Sequence, residues 1–385
     1  MSRFGMARVR GLRGLRNVLA SMRAHSIEVF EWDRADVMLP RLPKNSIWST
    51  YATKVNALPL TGMRLAHAVV KADYLISRNY ALPSLGFLMQ MDEIMDFRAP
   101  GNLRLLPGAS SILNDVSQTG LAARVGQGLS LLFAEQQRYR FVGHLASDPS
   151  VLAYASAFGR QRVADFLFED SAGNRMLLES KATFSLQNND CSRVKSVLKQ
   201  ALREQVNPWL GRITPPPAKG FAIYSCLREA GNSTPSSITF VDPPPGKDDS
   251  PIELPSGWTK RHNYAGWLRA MGLRRAASRL RGEGESSGEP ESVRFRLAHI
   301  GARQFAVLTP WLGRPAFSPQ IVIGIDVAAL KAIGAAIRGA PDALLEYRPT
   351  DFSESPSNAI SILNDGTIFG LIDARSFNGT ESFKL

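Results

Sequence analysis

Apolar and polar positions follow an ordered pattern in the middle of the chain. Segments with apolar residues three or four positions apart, typical of helices, are interspersed with short apolar runs typical of strands. The predicted elements are a helix at 128–137, a strand at 163–168, a turn at 170–174, a strand at 176–181, an amphipathic helix at 194–205, and strands at 220–227 and 237–241. A helix between two strands implies a crossover connection, so this order predicts a mixed sheet.

The segments on either side carry elements of their own but no recognisable motif. They include a helix at 63–70, in which His67 is expected to be a packing residue, strands at 305–308 and 321–325, and a helix at 327–337. Near the C-terminus, Asn364-Asp365-Gly366 lies between two apolar runs, and Asp-Gly at such a position predicts a tight hairpin turn.

These patterns predict an α/β chain with an α+β mixed sheet, divided into four parts. The parts are a helical and irregular N-terminal region at 1–118, a mixed-sheet domain at 119–245, a basic helix with flexible linkers at 246–291, and an α+β region at 292–385. The proline-rich run at 243–251 and the Gly, Glu and Ser run at 282–291 mark the two linkers.

Composition indicates a soluble protein with a polyanionic partner. The 385 residues are 44% hydrophobic and 21% charged, and the net charge is +12. Nucleic acid is the expected partner, an anionic membrane is less favoured, and a basic protein with no nucleic-acid role is the alternative. The two cysteines and five histidines show no CxxC, HxH or HExxH spacing, which argues against a zinc site and fits a reducing compartment. No apolar run is long enough for a transmembrane helix.

Two segments concentrate positive charge without any acid. Residues 1–27 hold six arginines, which favours a basic N-terminal helix of a cytoplasmic protein, although a mitochondrial transit peptide has the same composition. Residues 260–281 hold seven Lys and Arg with Tyr264 and Trp267 between them. This second segment is either a solvated helix face or a surface that contacts phosphates through Arg269, Arg274 and Arg275 and stacks an aromatic ring on bases.

Three charged residues stand inside the apolar strands of the central segment. Asp165 lies in the first strand, and Glu179 and Lys181 lie two positions apart, on one face of the second. The turn between the strands makes them antiparallel neighbours, so both carboxylates and the ammonium converge if they share a face. A charge in such a strand is costly unless it is paired or binds a metal. The alternative is a cross-strand salt bridge on a solvated face.

A converging Asp, Glu and Lys suits phosphodiester hydrolysis. That reaction needs a cation to offset charge on the phosphoryl oxygens and an activated water. Mg²⁺ or Mn²⁺ prefers oxygen ligands, and Asp165, Glu179 and the backbone carbonyl of Ser180 are the candidate donors. Lys181 would orient or deprotonate the water. The helix that follows carries Arg193, Lys195 and Lys199, which are candidates for contacting a nucleic-acid backbone.

Asp165, the turn, Glu179-Ser180-Lys181 after an apolar strand, and the helix and strand that follow resemble the PD-(D/E)xK superfamily of restriction-endonuclease-like nucleases. The resemblance covers about 125 residues, from the helix near 128 to the strand near 240. It implies a restriction-endonuclease-like core in which Asp165 and Glu179 hold the metal and Lys181 serves the water. It also implies an acidic ligand from the preceding helix, with Glu135 as candidate and Gln127 as rival. Gln200 or Gln205 is a candidate auxiliary residue, and Ala164 stands where the family often has proline.

The expected function is a Mg²⁺-dependent nuclease that hydrolyses phosphodiester bonds of DNA, in restriction, phage defence or repair. The alternative is a catalytically inactive nucleic-acid-binding or assembly subunit with the same fold. A third hypothesis is a subunit that is active only with a partner protein or a second copy of itself. The chain has no GxxxxGK[ST] or dinucleotide-binding fingerprint, and its GxSxG match at 284–288 lies in the polar Gly, Glu and Ser linker rather than between an apolar strand and a helix, which disfavours other common enzyme classes.

Overall fold

The computed structural model describes residues 23–42, 48–76, 91, 94–113, 115–157, 159, 161–184, 191–244, 252–283, 289–309, 320–350 and 360–385. In this part of the chain the strands are β1 (Ala24–Trp32), β2 (Ala52–Thr61), β3 (Met95–Asp96), β4 (Gly101–Asn102), β5 (Arg104–Leu105), β6 (Phe141–His144), β7 (Phe166–Glu169), β8 (Arg175–Phe184), β9 (Ile213–Thr214), β10 (Lys219–Leu227), β11 (Ser237–Val241), β12 (Ile252–Glu253), β13 (Ser292–Ile300), β14 (Arg303–Leu308), β15 (Gln320–Asp326), β16 (Ile360–Ile362), β17 (Thr367–Ile372) and β18 (Phe377–Lys384).

The described helices are α1 (Arg34–Met38), α2 (Trp48–Tyr51), α3 (Gly62–Ile76), α4 (Ala109–Ile112), α5 (Asp115–Gln136), α6 (Pro149–Ala157), α7 (Cys191–Ala201), α8 (Asn207–Leu210), α9 (Trp258–Ala270), α10 (Arg274–Arg281), α11 (Val327–Ile337) and α12 (Asp342–Glu346). A π-helical turn, Leu202–Val206, joins α7 to α8, and short 3₁₀ turns occupy Leu145–Ser147 and Ala374–Ser376. Among these helices, none combines the length and the apolar character needed to cross a membrane.

A mixed sheet organises the first two thirds of the chain, as the alternation of helices and strands predicts. Its strand order is β2-β1-β11-β10-β8-β7-β6, with β4 beside β1. The strands β8 and β10 are parallel and are connected through α7, whereas β7 and β8 form an antiparallel hairpin. The pattern of apolar and polar residues did not indicate β6, which is only four residues long and pairs with β7.

The N-terminal region contributes to this same sheet. The strand β1 lies parallel to β11, with Val29 opposite Ile238, and β2 continues the sheet beyond β1. The sheet therefore extends across the predicted limit at residues 118 and 119, and that limit also falls inside α5. Residues 1–22 of the arginine-rich N-terminus lie outside the described residues, and Ala24–Ile27 are part of β1 rather than of the predicted helix.

The C-terminal region forms a second sheet, whose strands are all antiparallel in the order β16-β17-β15-β14-β13-β18. The predicted hairpin is present as β16 and β17, and Gly366 adopts the left-handed conformation with φ of +87° that the turn requires. The predicted helix at 327–337 is α11. Residues 245–251 and 284–288, within the two predicted linkers, lie outside the described residues.

A buried polar cluster joins the hairpin turn to the helices that cover the first sheet. Lys71 of α3 forms an ion pair of 2.6 Å with Asp365, and neither side chain is more than 2% exposed. Asn263 of α9 donates to the same carboxylate at 2.6 Å. His67 is buried, with Nδ1 3.0 Å from Ser361 Oγ, and its ring packs on Trp267, so it has the predicted packing role.

Two glycines let α5 approach its neighbours closely. A Cβ atom added to Gly126 would lie 2.4 Å from Ala182 Cβ on β8, and one added to Gly128 would lie 2.4 Å from Val69 Cγ2 on α3. Real Cβ atoms do not approach one another to that distance, so a side chain at either position would push α5 away. These contacts fix the position of α5 against the strand that carries Glu179 and Lys181.

Replacing Gly126 by Ala should therefore destabilise the protein by about 1–3 kcal/mol, because the overpacking outweighs the roughly 1 kcal/mol by which alanine favours a helix. Gly120 provides a matched control, since it lies in the same helix and a Cβ there would meet nothing within 4 Å. Gly120→Ala should stabilise the protein by about 0.5–1 kcal/mol. Urea unfolding of both variants measures the two changes, and equal changes in the same direction would contradict the packing argument.

Candidate active site

The structure places the carboxylates of Asp165 and Glu179 next to each other. The β7–β8 ladder begins with Phe166 opposite Leu178, so Asp165, one residue before the start of β7, falls opposite Glu179. The N–H of Asp165 donates to Glu179 Oε2 at 3.1 Å, and the N–H of Ser180 donates to Asp165 Oδ2 at 3.0 Å. Each side chain is thus held by the backbone of the opposite segment.

Successive side chains of β8 point to opposite faces of the sheet, and the two faces have different surroundings. Glu179 and Lys181 project from the face that packs against α7 and the π-helical turn, where Leu177 belongs to the apolar core. Ser180 projects from the other face, and its hydroxyl accepts from Ser130 Oγ of α5 at 2.9 Å. Because the N–H and C=O of one strand residue point the same way, the Ser180 carbonyl faces the side on which Asp165 lies.

Burial perturbs the pKa of both acids, and repulsion by Asp165 adds to the shift of Glu179. Glu179 has no exposed surface, and its burial, followed by the neighbouring charge of Asp165, raises its pKa to about 8. Burial raises the pKa of Asp165 to about 6, against the opposing influence of the Ser180 N–H and the Lys181 charge. Lys181 Nζ lies 2.5 Å from Glu179 Oε1, and the lysine side chain remains 36% exposed. One ammonium therefore faces two carboxylates.

The donor atoms at this site suit a hard divalent cation. Both carboxylates and the Ser180 carbonyl are oxygen ligands, and the second negative charge has no second cation to offset it in this cluster. Gln205, on the π-helical turn, donates to the carbonyl of Val163 at 3.1 Å, while its own buried Oε1 has no hydrogen-bond partner. This unpartnered acceptor lies on a side chain that is hydrogen-bonded to the segment leading into Asp165, and it fits an ion or its bound water. These residues therefore fit Mg²⁺ or Mn²⁺ with one or two carboxylate ligands.

Glu135 is not part of this cluster, and its predicted role as a metal ligand is wrong. Its carboxylate pairs with Arg64 at 2.8 Å and accepts the N–H of Asn364. The helix α5 packs on the face of β8 that carries Ser180 and Ala182, away from Glu179, and this also separates Gln127 from the carboxylates. Within the described residues, no three His, Cys, Asp or Glu side chains form a group that could hold a metal.

A cleft of about 520 Å³ opens beside Lys181. Its lining combines the first turns of α5, the end of β8, one face of α7 and one residue of β10: Asp115, Gln118, Thr119, Ala122, Lys181, Ala182, Thr183, Phe184, Arg193, Val197, Gln200 and Tyr224. Sequence reasoning did not select Asp115, Gln118 or Thr119, because only the packing of α5 on β8 brings them to Lys181. A crevice near the carboxyl ends of parallel strands is a common ligand site in open sheets.

The cations of α7 have different surroundings. Arg193 is exposed, lines the cleft and hydrogen-bonds the hydroxyl of Tyr224. Lys195 and Lys199 both donate to the carbonyl of Leu39, at the end of α1. These two lysines therefore fasten α1 to α7. Gln200, a candidate auxiliary residue, lines the cleft and donates to Glu204 at 3.1 Å.

The aromatic residues of the basic segment are buried, so stacking on bases is excluded for both. The Tyr264 hydroxyl donates to the carbonyl of Asp365 at 2.8 Å, and Trp267 Nε1 donates to the carbonyl of Gly324 at 2.7 Å. The helix α9 is a core helix between the two sheets, and it is not a solvated face. The sequence pattern did not reveal this because two of the cations in α9, Lys260 and Arg269, are themselves buried.

The arginines of the same segment form ion pairs around α9 and α10. Arg269 is buried and pairs with Glu283 at 2.7 Å. Arg275 is exposed and pairs with Glu291, and Arg274 is exposed at the start of α10. None of the three lines the cleft beside Lys181.

Comparisons of the chain with models of protein families, with curated proteins and with solved structures gave no match. We therefore infer function from the geometry of Asp165, Glu179, Lys181 and the adjoining cleft.

The raised pKa of Glu179 predicts a pH-dependent destabilisation. Between about pH 4.5 and 8 the folded state retains the Glu179 proton that the unfolded state has lost, so rising pH favours unfolding. In metal-free buffer, the free energy of unfolding of the native chain should fall by about 1–2 kcal/mol relative to Glu179→Gln between pH 5 and pH 8. Glutamine retains an acceptor for the Asp165 N–H. Urea unfolding at the two pH values measures the difference, and a pH-independent difference would contradict the assignment.

Proposed function

We propose that the protein is a metal-dependent nuclease of the PD-(D/E)xK type, with DNA as the first expected substrate. The observation that carries the proposal is the juxtaposition of Asp165 and Glu179, each hydrogen-bonded to the other's backbone segment, with Lys181 extending from Glu179 to an open cleft. The element order around them, α5, β6, α6, β7, β8, α7, α8, β9 and β10, supports a restriction-endonuclease-like core.

The residues of the site have separable roles in this proposal. Asp165, Glu179 and the Ser180 carbonyl would hold Mg²⁺ or Mn²⁺. When bound, the ion would neutralise charge on the phosphoryl oxygens and lower the pKa of a water ligand. Lys181 lies between the buried Glu179 and the cleft, so its ammonium can orient the attacking water and stabilise the charge that develops on the phosphoryl group.

Charge and burial support a polyanionic substrate. The net charge of +12 attracts nucleic acid, and Arg193 adds a guanidinium to the cleft that Lys181 lines. The apolar residues around Leu177 exclude water from one side of the carboxylates, which strengthens electrostatic interactions there.

The Glu179–Lys181 pair also favours the alternative, a non-catalytic nucleic-acid-binding or assembly subunit. With Nζ 2.5 Å from Oε1, the Glu179–Lys181 contact forms without any ion, as it would in a purely structural pair. In that case Lys181→Met should leave nucleic-acid binding unchanged, and no metal should support cleavage. A subunit that needs a partner would instead show weak cleavage alone and stronger cleavage with the partner present.

A cleavage panel tests the proposal. Linear and circular duplex DNA, single-stranded DNA and RNA are incubated with the protein in Mg²⁺, Mn²⁺ or EDTA. We expect metal-dependent cleavage of at least one substrate, reduced by about 100-fold or more in Asp165→Asn, Glu179→Gln and Lys181→Met.

Glu28→Gln is the control, because Glu28 is a partly exposed carboxylate that pairs with Lys54. It lies on β1, which β11 and β10 separate from the strand that carries Glu179. It should cleave like the native chain. Absence of cleavage on every substrate, or equal cleavage by the native chain and Glu179→Gln, would overturn the nuclease proposal.

A further inference from the structure

The cleft beside Lys181 has the size of a small-molecule site. Its volume of about 520 Å³ falls within the roughly 300–1,000 Å³ of pockets that enclose drug-sized ligands. A nucleotide is a ligand of that size. An intact duplex is much larger than the ligands that such pockets enclose, since its major groove alone is about 12 Å wide.

The positive charge at the cleft is local. Among the described residues that line the cleft, Lys181 and Arg193 are the cations. Farther along α7, Lys195 and Lys199 are engaged with the carbonyl of Leu39. Proteins that bind a duplex through its backbone neutralise about 6–10 phosphates along an extended surface. Two cations at one end of a cleft suit one or two phosphates.

The two walls of the cleft differ in chemistry. Lys181 and Arg193 lie on the β8 and α7 side, whereas Asp115, Gln118 and Thr119 lie on the α5 side. A phosphate is attracted to the first wall and repelled by Asp115 on the second. The amide, hydroxyl and carboxylate of the second wall can hydrogen-bond a sugar hydroxyl or a base edge. In a duplex those base edges are already paired, and in a single strand they are free.

We propose that this cleft binds one nucleotide unit of a single polynucleotide strand, with its phosphate towards Lys181 and Arg193 and its nucleoside towards α5. The inference rests on the proposed function for the reaction, and it narrows the substrate to single strands or unpaired ends. The binding itself requires no metal and no cleavage.

Fluorescence anisotropy in EDTA tests the inference without catalysis. The probes are fluorescein-labelled 12-nucleotide single-stranded DNA, the RNA of the same sequence, and the 12-base-pair DNA duplex. We expect a single strand to bind about tenfold or more tightly than the duplex, and the DNA and RNA probes identify the preferred sugar.

Two cleft variants locate the site. Arg193→Gln removes one phosphate contact and should weaken single-strand binding about fivefold or more. Thr119→Trp fills the cleft from an exposed position on α5 and should weaken single-strand binding about tenfold. Arg375→Gln removes an equal charge from an exposed position in the 3₁₀ turn between β17 and β18 and should change binding less than about twofold.

Binding of the duplex as tight as that of the single strands, or equal binding by all three variants, would overturn the inference. Its failure is distinguishable from failure of the nuclease proposal. Single-strand binding that depends on Arg193 and Thr119, without any metal-dependent cleavage, supports the cleft and overturns the nuclease. Metal-dependent cleavage of duplex DNA that Thr119→Trp leaves intact overturns the cleft and supports the nuclease.

Discussion

The confinement of two carboxylates in one buried site is the constraint on which the rest of the structure depends. Asp165 and Glu179 cannot both ionise there without compensation, and only Lys181 is present to balance them within the cluster. The hairpin register holds the two acids together, and the close approach of α5 at Gly126 fixes the strand that carries Glu179. Such a site is unfavourable for stability, and ionisable groups with strongly perturbed pKa values are concentrated at functional sites.

The sequence was informative where the interaction is local. The Asp, Glu and Lys stood out because charge contradicts the apolar period of a strand, and the mixed sheet followed from a helix between two strands. The face of the sheet that α5 covers depends on contacts with residues distant in sequence. Glu135 was misassigned because the order of helices along the chain does not determine which side of the sheet a helix covers. The burial of Trp267 likewise depends on the second sheet, which packs against α9 from a distant part of the chain.

The flanking regions have a structural role that no motif reveals. The strands β1 and β2 extend the sheet that carries the site, and the pairing of β1 with β11 links segments about 200 residues apart. At the other end, the Asp365 turn is bound to α3 and α9 by buried polar contacts. Removing either flank would therefore expose apolar surface of the core that positions Asp165 and Glu179.

Direct measurement of ion binding tests the central claim, that these two carboxylates form a metal site. Electron paramagnetic resonance counts free and bound Mn²⁺ without any assumption about substrate. We expect about one Mn²⁺ bound per chain, with binding weakened about tenfold or more in Asp165→Asn and unchanged in Glu28→Gln. Absence of bound Mn²⁺ at millimolar concentration, or equal binding by Asp165→Asn and the native chain, would contradict it.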